Sequence, residues 1–340
     1  MYRRPQVFLV ANAALMGLLA VLAAVSLGKS LADPDGFLGP AWVRLPLLLG
    51  AAFLVDVVPR TVWVSRFRWR QMRPLMRERI RQHWTRDRVV LVVVGVSTFY
   101  ITYVSYRNLK SFLPAVLGAT TYDRELHMVD RALFLGHEPA VVLHALLGTS
   151  VSAHVLSTIY LWFLPLVPLA VAAWLVWSHN IAYGYWFVTS QCIAWTLGTA
   201  SYYALPTLGP GFEYSWLYEG LDRTASTRLM ESLQYGRQDV NLNVLEGAVQ
   251  SVAGFASLHC AITLLVAMMA QATIRSRVVR WLLWVNFGVT VVATLYFGWH
   301  YVADDVAGVM IALVAFYVGG VVSGQRFDRK RLAPAPAAAP

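Results

Sequence analysis

Three stretches of the chain carry residue types able to do chemistry on a phosphate. Residues 106–114 hold Arg107 and Lys110 ahead of Pro114, residues 256–259 hold Ser257 and His259, and residues 298–305 hold His300, Asp304 and Asp305. A helix beginning near His300 puts Asp304 four residues on, with its carboxylate facing the imidazole. There it fixes the ring tautomer and supports the cation that develops during reaction. This spacing makes His300 a nucleophile or base and Asp304 its orienter. Arg107 and Lys110 supply mobile positive charge. Helices opening at His259 and at His300 on one side of a membrane also aim their positive ends and free N–H groups at any anion held there. Such a constellation describes a phosphate site in which a covalent phosphohistidine can form. It needs no metal and no cofactor.

Taken singly, each residue has a plainer role. Either histidine alone reads as an interfacial hydrogen-bonder, and Arg107 and Lys110 read as headgroup anchors whose stems snorkel at a helix end. His127, His137, His144 and His154 have spacings unlike a metal motif such as H-E-x-x-H, and read as surface or packing residues. Cys192 and Cys260 lie in apolar runs and read as packing residues.

The elements that must position these groups are membrane helices. Hydrophobic residues make up 58% of the 340 and charged ones 14%, with a mean hydropathy of +0.54, too little polar surface to coat soluble globules. A spanning helix takes about 20 mostly apolar residues. Eight stretches qualify, near 6–28, 43–64, 88–106, 154–177, 184–205, 252–273, 278–299 and 301–322. The first follows Arg3 and Arg4, but its apolar run is too long for a signal core and no A-x-A site closes it, so it reads as a retained helix. The expected fold is all-α, a polytopic membrane helix bundle of about eight transmembrane helices.

The net charge of +10 belongs to topology rather than to nucleic acid, because no nucleic-acid-reading module interleaves aromatics with it. Ten arginines against two acids between Arg60 and Arg88 place that loop in the cytoplasm. With eight spans, both termini and the turn at Arg275, Arg277 and Arg280 fall on the same side. The loop at 60–88 also reads as an interfacial helix resting on anionic lipid. The opposite face receives 107–153 and 206–252, the latter with six acids against three arginines. All three chemistry-bearing stretches fall on this outer face. Mixed charge at helical periodicity in 115–148 suggests a segment lying along the outer surface.

The same residues resemble a known family. Ser257 to His259, followed by His300 and Asp304, look like the second and third signatures of the phosphatidic acid phosphatase type 2 superfamily. The stretches 296–304 and 204–210 look most like its inositol phosphorylceramide synthase branch and bacterial relatives. The resemblance covers roughly 95–322 and implies a six-helix catalytic core. It also implies that His300 attacks phosphorus, Asp304 orients it and His259 protonates the leaving alkoxide. Arg107, Lys110 and Ser257 would bind the substrate phosphate. There are departures: Leu113 precedes Pro114 where the first signature has arginine, Thr294 stands where the third has arginine, and Ala256 and Leu258 replace proline and glycine around Ser257. Arg237, in the outer loop 206–252, is the candidate replacement for the missing arginine, and reads equally as an ordinary loop charge.

The chain then divides into an N-terminal two-helix membrane hairpin with a basic cytoplasmic loop (1–87), a catalytic membrane domain (88–325), and a basic, then Ala/Pro-rich disordered tail (326–340). The leading expectation is a bacterial plasma-membrane enzyme with both termini cytoplasmic and an extracytoplasmic site. It would move a phospho-headgroup, of the inositol-phosphate type, from a membrane phospholipid donor to a lipid or sugar hydroxyl. A hydrolase acting on a lipid phosphate or polyprenyl diphosphate, with water as acceptor, is the alternative. A non-catalytic lipid transporter or scaffold is a third reading, opposed by the intact His259, His300 and Asp304.

Overall fold

The computed structural model describes residues 2–34, 40–118, 120–242, 254–325 and 327, the last nine of residues 120–242 by backbone only. The described chain is all-helical. Its helices are α1 (Arg3–Ser26), α2 (Ala41–Ser65), α3 (Trp69–His83), α4 (Arg86–Leu117), α5 (Asp123–Leu133), α6 (Pro139–Leu147), α7 (Val151–Leu161), α8 (Phe163–Trp177), α9 (Ile181–Ala204), α10 (Pro210–Glu213), α11 (Ala225–Leu242), α12 (Leu258–Thr273), α13 (Arg277–Tyr296) and α14 (Val302–Val322).

Among the described residues, six stretches are long and apolar enough to cross a bilayer, namely α1, α2, α4, the run through α7 and α8, α13 and α14. The remaining two expected spans are α9 and the 16-residue α12. The lower hydropathy of α9 has a simple reason. It is the central rod of the bundle, packed on α1, α4, α8, α12 and α14, so Thr189, Ser190, Gln191 and Thr199 are shielded from lipid by protein. Exposed Val, Leu and Trp side chains on α1, α2 and α13 form the outward apolar faces. The first two helices pack on different neighbours: α1 on α4 and α9, and α2 on α3 and α8.

Three boundaries differ from the hydropathy reading. The third expected span, ending at 106, continues to Leu117, because Asn108, Leu109, Phe112 and Leu113 extend its buried face past the first charges. Arg107 and Lys110 therefore sit within α4 rather than beyond it. The fourth is one apolar run divided at Trp162 into α7 and α8; Pro165 lies in the first turn of α8, where a missing N–H costs little. The sixth begins at Leu258 rather than 252, capped by the Ser257 hydroxyl.

Close backbone approach fixes the end of the bundle where α12 and α14 begin and α13 ends. Gly308 lies so near α12 that a Cβ there would come within 2.4 Å of the Ser257 carbonyl. Only glycine lets the two helices meet at this point. The expected outer segment 115–148 holds the end of α4 and the short helices α5 and α6, and α5 contributes the buried carboxylates Asp123 and Asp130 to the same end.

Candidate active site

The turn from α13 into α14 builds the centre of the site. Gly298 adopts a left-handed φ of 70°, and a Cβ there would collide with the Tyr218 ring. His300 and Tyr301 follow just before the first helical residue, Val302. His300 thus precedes α14 instead of lying on it. Asp304 occupies the third position of the helix and reaches back, its Oδ2 accepting the Tyr301 N–H at 3.0 Å and lying 3.2 Å from His300 Nδ1. Such a back-reaching carboxylate satisfies an orphan donor of the helix end while it grips the ring. His300 is 5% exposed and Asp304 fully buried, so this pairing operates in a medium poorer in water than a surface pair. Among the described residues, Asp304 Oδ1 has no hydrogen-bond partner.

His259 stands in the first turn of α12, its ring stacked on Tyr160 at 4.3 Å and packed against Phe163 at 4.1 Å. Its centroid lies 6.3 Å from that of His300. Trp299 closes this aromatic wall, stacked on Tyr160 and hydrogen-bonded through Nε1 to Ser226. From α4, Lys110 places Nζ 5.2 Å from the Tyr202 ring centroid and 6.0 Å from that of Tyr106. Arg107 precedes it by one turn, half-buried. Ser257 is fully buried; its Oγ accepts the Cys260 N–H and its own N–H bonds the Asp304 carbonyl, which makes it a tie between α12 and α14. The side chain of Arg237 lies outside the described residues.

The N-terminus of α14 departs from the expectation of free donors aimed at an anion. The Tyr301 N–H is taken by Asp304, and the Val302 N–H by Asp130 of α5 at 3.1 Å. Protein carboxylates already occupy the positive end of this helix.

Behind the histidines, Thr294 explains its own position. Its Oγ1 bonds Asp305 Oδ2 at 2.8 Å, while Cys260 Sγ bonds Asp305 Oδ1 at 2.8 Å. A buried carboxylate therefore joins α12, α13 and α14 at the place where the resemblance implies an arginine.

Several residues with no sequence signal complete the site. Asp123 accepts the N–H groups of Leu208 and Gly209 and the Tyr301 hydroxyl, each near 3.0 Å, and so fixes the loop after α9 against the His300 turn. Asp130 is 2% exposed. Burial pushes its carboxyl up to about 7, assisted by Asp304, Asp305 and Glu138 and opposed by the Val302 N–H. His127 lies 3.3 Å from Glu138 and stacks on Tyr214 at 4.0 Å. His127, Asp130, Glu138, Tyr218 and Tyr301 line a small pocket with His300, partly open to solvent and with room for about one water. For α5 as an element, the mixed charge at helical periodicity in 115–148 is the signal in the sequence; it does not single out these residues.

A family model described as the PAP2 superfamily matches residues 124–318. The match takes in His259, His300, Asp304, Asp130 and Glu138, and begins after Arg107, Lys110 and Asp123. No curated protein and no solved structure matches the chain.

Proposed function

Since the chain belongs to the PAP2 superfamily, whose chemistry is that of phosphatases and phosphotransferases, we propose that it cleaves a membrane lipid phosphoester through a phosphohistidine on His300. The observation that carries this is the His300–Asp304 pairing at 3.2 Å, with His259 across a ring separation of 6.3 Å. Asp304 keeps the proton on Nδ1, so that Nε2 holds the lone pair that attacks phosphorus. His259 protonates the departing alkoxide and then takes the proton of the incoming hydroxyl, both on the side of phosphorus opposite His300. Lys110 and Arg107 neutralise charge on the phosphoryl oxygens. No step calls for a metal.

In this reading the acceptor is a lipid or sugar hydroxyl and the transferred group is of the inositol-phosphate type, on the resemblance of residues 296–304 and 204–210 to the inositol phosphorylceramide synthase branch. Hydrolysis is the second reading, favoured by a pocket beside His300 that opens to solvent. Purified protein incubated with labelled phospholipids, with and without alcohol acceptors, separates the two. Labelled transfer product supports the first, and water-only products at every acceptor concentration support the second.

The arginine distribution supports a site outside the cytoplasm. Ala225 and Gln71 are both exposed. Cysteine at 225 should react with a membrane-impermeant thiol reagent in intact cells and cysteine at 71 should not; Ser226 is fully buried and unsuitable as a reporter. Reverse labelling overturns the orientation.

A further inference from the structure

Lys110 is not held as a basic residue near the end of a spanning helix ordinarily is. Such a side chain snorkels, its stem on apolar surface and its ammonium in water. Lys110 is instead half-buried, with Nζ 5.2 Å from the centre of the Tyr202 ring and 6.0 Å from that of Tyr106. Among the described residues it pairs with no carboxylate. Its charge acts on His259 together with that of His300, so the ammonium stands within electrostatic reach of the reacting pair.

The rings are themselves fixed. Tyr202 is 2% exposed and Tyr106 6%, and their centroids lie 6.1 Å apart. Tyr106 packs on Trp195 of α9 at 4.6 Å. A Cβ at position 254 would come within 2.6 Å of the Tyr202 ring, so any residue larger than Gly254 would push the ring aside. On either side of Tyr202, the Ser201 hydroxyl accepts the Ala256 N–H at 2.9 Å and the Tyr203 hydroxyl donates to the Leu109 carbonyl at 2.7 Å. The end of α9 thus grips both the turn of α4 that carries Lys110 and the entry to α12, where His259 stands.

The kind of holder matters for a cation that must bind phosphate. A carboxylate at hydrogen-bond distance would fix the ammonium but cancel its charge, and a substrate oxygen would have to compete with it. An aromatic face holds a cation through the ring quadrupole and leaves the full charge for an anion arriving on the open side, more strongly where water is scarce.

We propose that Tyr202, assisted by Tyr106, is the positioning residue for Lys110, its ring face holding the ammonium toward the phosphoryl group that His300 attacks. The inference rests on the phosphohistidine reading and names what holds its phosphate-binding cation. The work belongs to the π face at position 202, and the hydroxyl is dispensable.

The test replaces Tyr202 by phenylalanine and by phenylalanines carrying one, two and three ring fluorines, which keep the ring's size while draining its negative face. The series is measured with Lys110 present and in Lys110→Met, by kcat/KM for labelled phosphatidylinositol in mixed micelles and by the Kd for inorganic phosphate. Tyr202→Phe should stay within about twofold of the wild type, and fluorination should then lower kcat/KM and weaken phosphate binding stepwise, by about fivefold to tenfold in all. In K110M the series should be flat. A flat series with Lys110 present overturns the proposal, as does a decline that persists in K110M, which assigns it to ring packing. A loss in Y202F as large as that on full fluorination assigns the role to the hydroxyl and overturns it too, and so does an absence of phosphate binding by the wild-type protein. Full activity in His300→Ala defeats the phosphohistidine reading, while phosphate affinity across the series still reports the hold on Lys110.

Discussion

The two walls that flank His300 are built in different ways. On the α12–α14 side, Asp304 grips the ring from four residues away, and His259 is wedged between Tyr160 and Phe163. On the α5–α6 side, Asp130 and Glu138 come from about 160 to 170 residues earlier in the chain and are held by Val302, His127 and Arg131. The first wall is aromatic and fixes ring orientation. The second is acidic and hydrogen-bonding, and ties the start of α14 to α5. Orientation of a nucleophile can be encoded locally, because a helix start places its third residue beside the residue preceding it. Bracing the start of that helix from outside depends on segments distant in the chain.

Four substitutions probe this contrast, in decreasing order of effect. His300→Ala removes the attacking nitrogen shared by both walls, and turnover on any donor should fall by about 10⁴ or more; rates of labelled-lipid cleavage measure it. Asp304→Asn keeps an acceptor for the Tyr301 N–H but loses the carboxylate that holds the imidazole tautomer. A drop on the order of 10³ to 10⁴ in kcat, with KM little changed, is expected. A loss confined to KM would show that Asp304 binds substrate rather than orienting the ring.

Thr294→Val tests the scaffold behind the first wall. It leaves Asp305 Oδ2 without its 2.8 Å donor in a buried place, which should cost about 1–3 kcal/mol. Thermal unfolding in detergent measures that, and activity at low temperature should remain near wild type. The smallest effect belongs to the second wall. The Asp130 carboxyl lies at about 7 in the folded protein, above the roughly 3.9 of an unfolded chain. The folded state therefore holds its proton more tightly, and the associated stability is full below about pH 4 and lost as pH rises through 7. Melting temperature should fall across that window in the wild type, and Asp130→Asn should flatten the slope. A slope unchanged in D130N shows that the pH dependence does not come from Asp130.

Most of the bundle is legible in the sequence, because a bilayer accepts only long apolar helices and charged loops mark their ends. The exceptions have identifiable causes. α9 was placed by its apolar residues, yet its polar side chains are tolerated only because α4 and α14 cover them. The α4 boundary was misplaced because Arg107 and Lys110 looked like the end of a span, when Tyr106 and Tyr202 give Lys110 a ring-lined seat. His300 and Asp304 were legible as a pair at the right spacing, although the physical reason is a carboxylate reaching back over a helix start rather than two residues on one helix face. His127 was read as a surface or packing residue, since nothing in its neighbours' spacing reveals that Tyr214 and Glu138 fold against it.

Composition and residue spacing by themselves determined that this chain is a membrane helix bundle with two histidines and a carboxylate converging near one face. Both follow from rules that act over a few residues or over a whole apolar segment: the cost of exposing a polar backbone to lipid, and the pitch of a helix. Only the tertiary structure decided that Thr294 and Cys260 both donate to Asp305, that Asp130 takes the first N–H of α14, and that an acidic pocket opens beside His300. Those contacts join residues between 11 and 172 positions apart. A hydrogen bond at such a separation depends on how whole helices are stacked, and the stacking is set by close contacts such as Gly308 against Ser257 that leave no periodic trace in the chain.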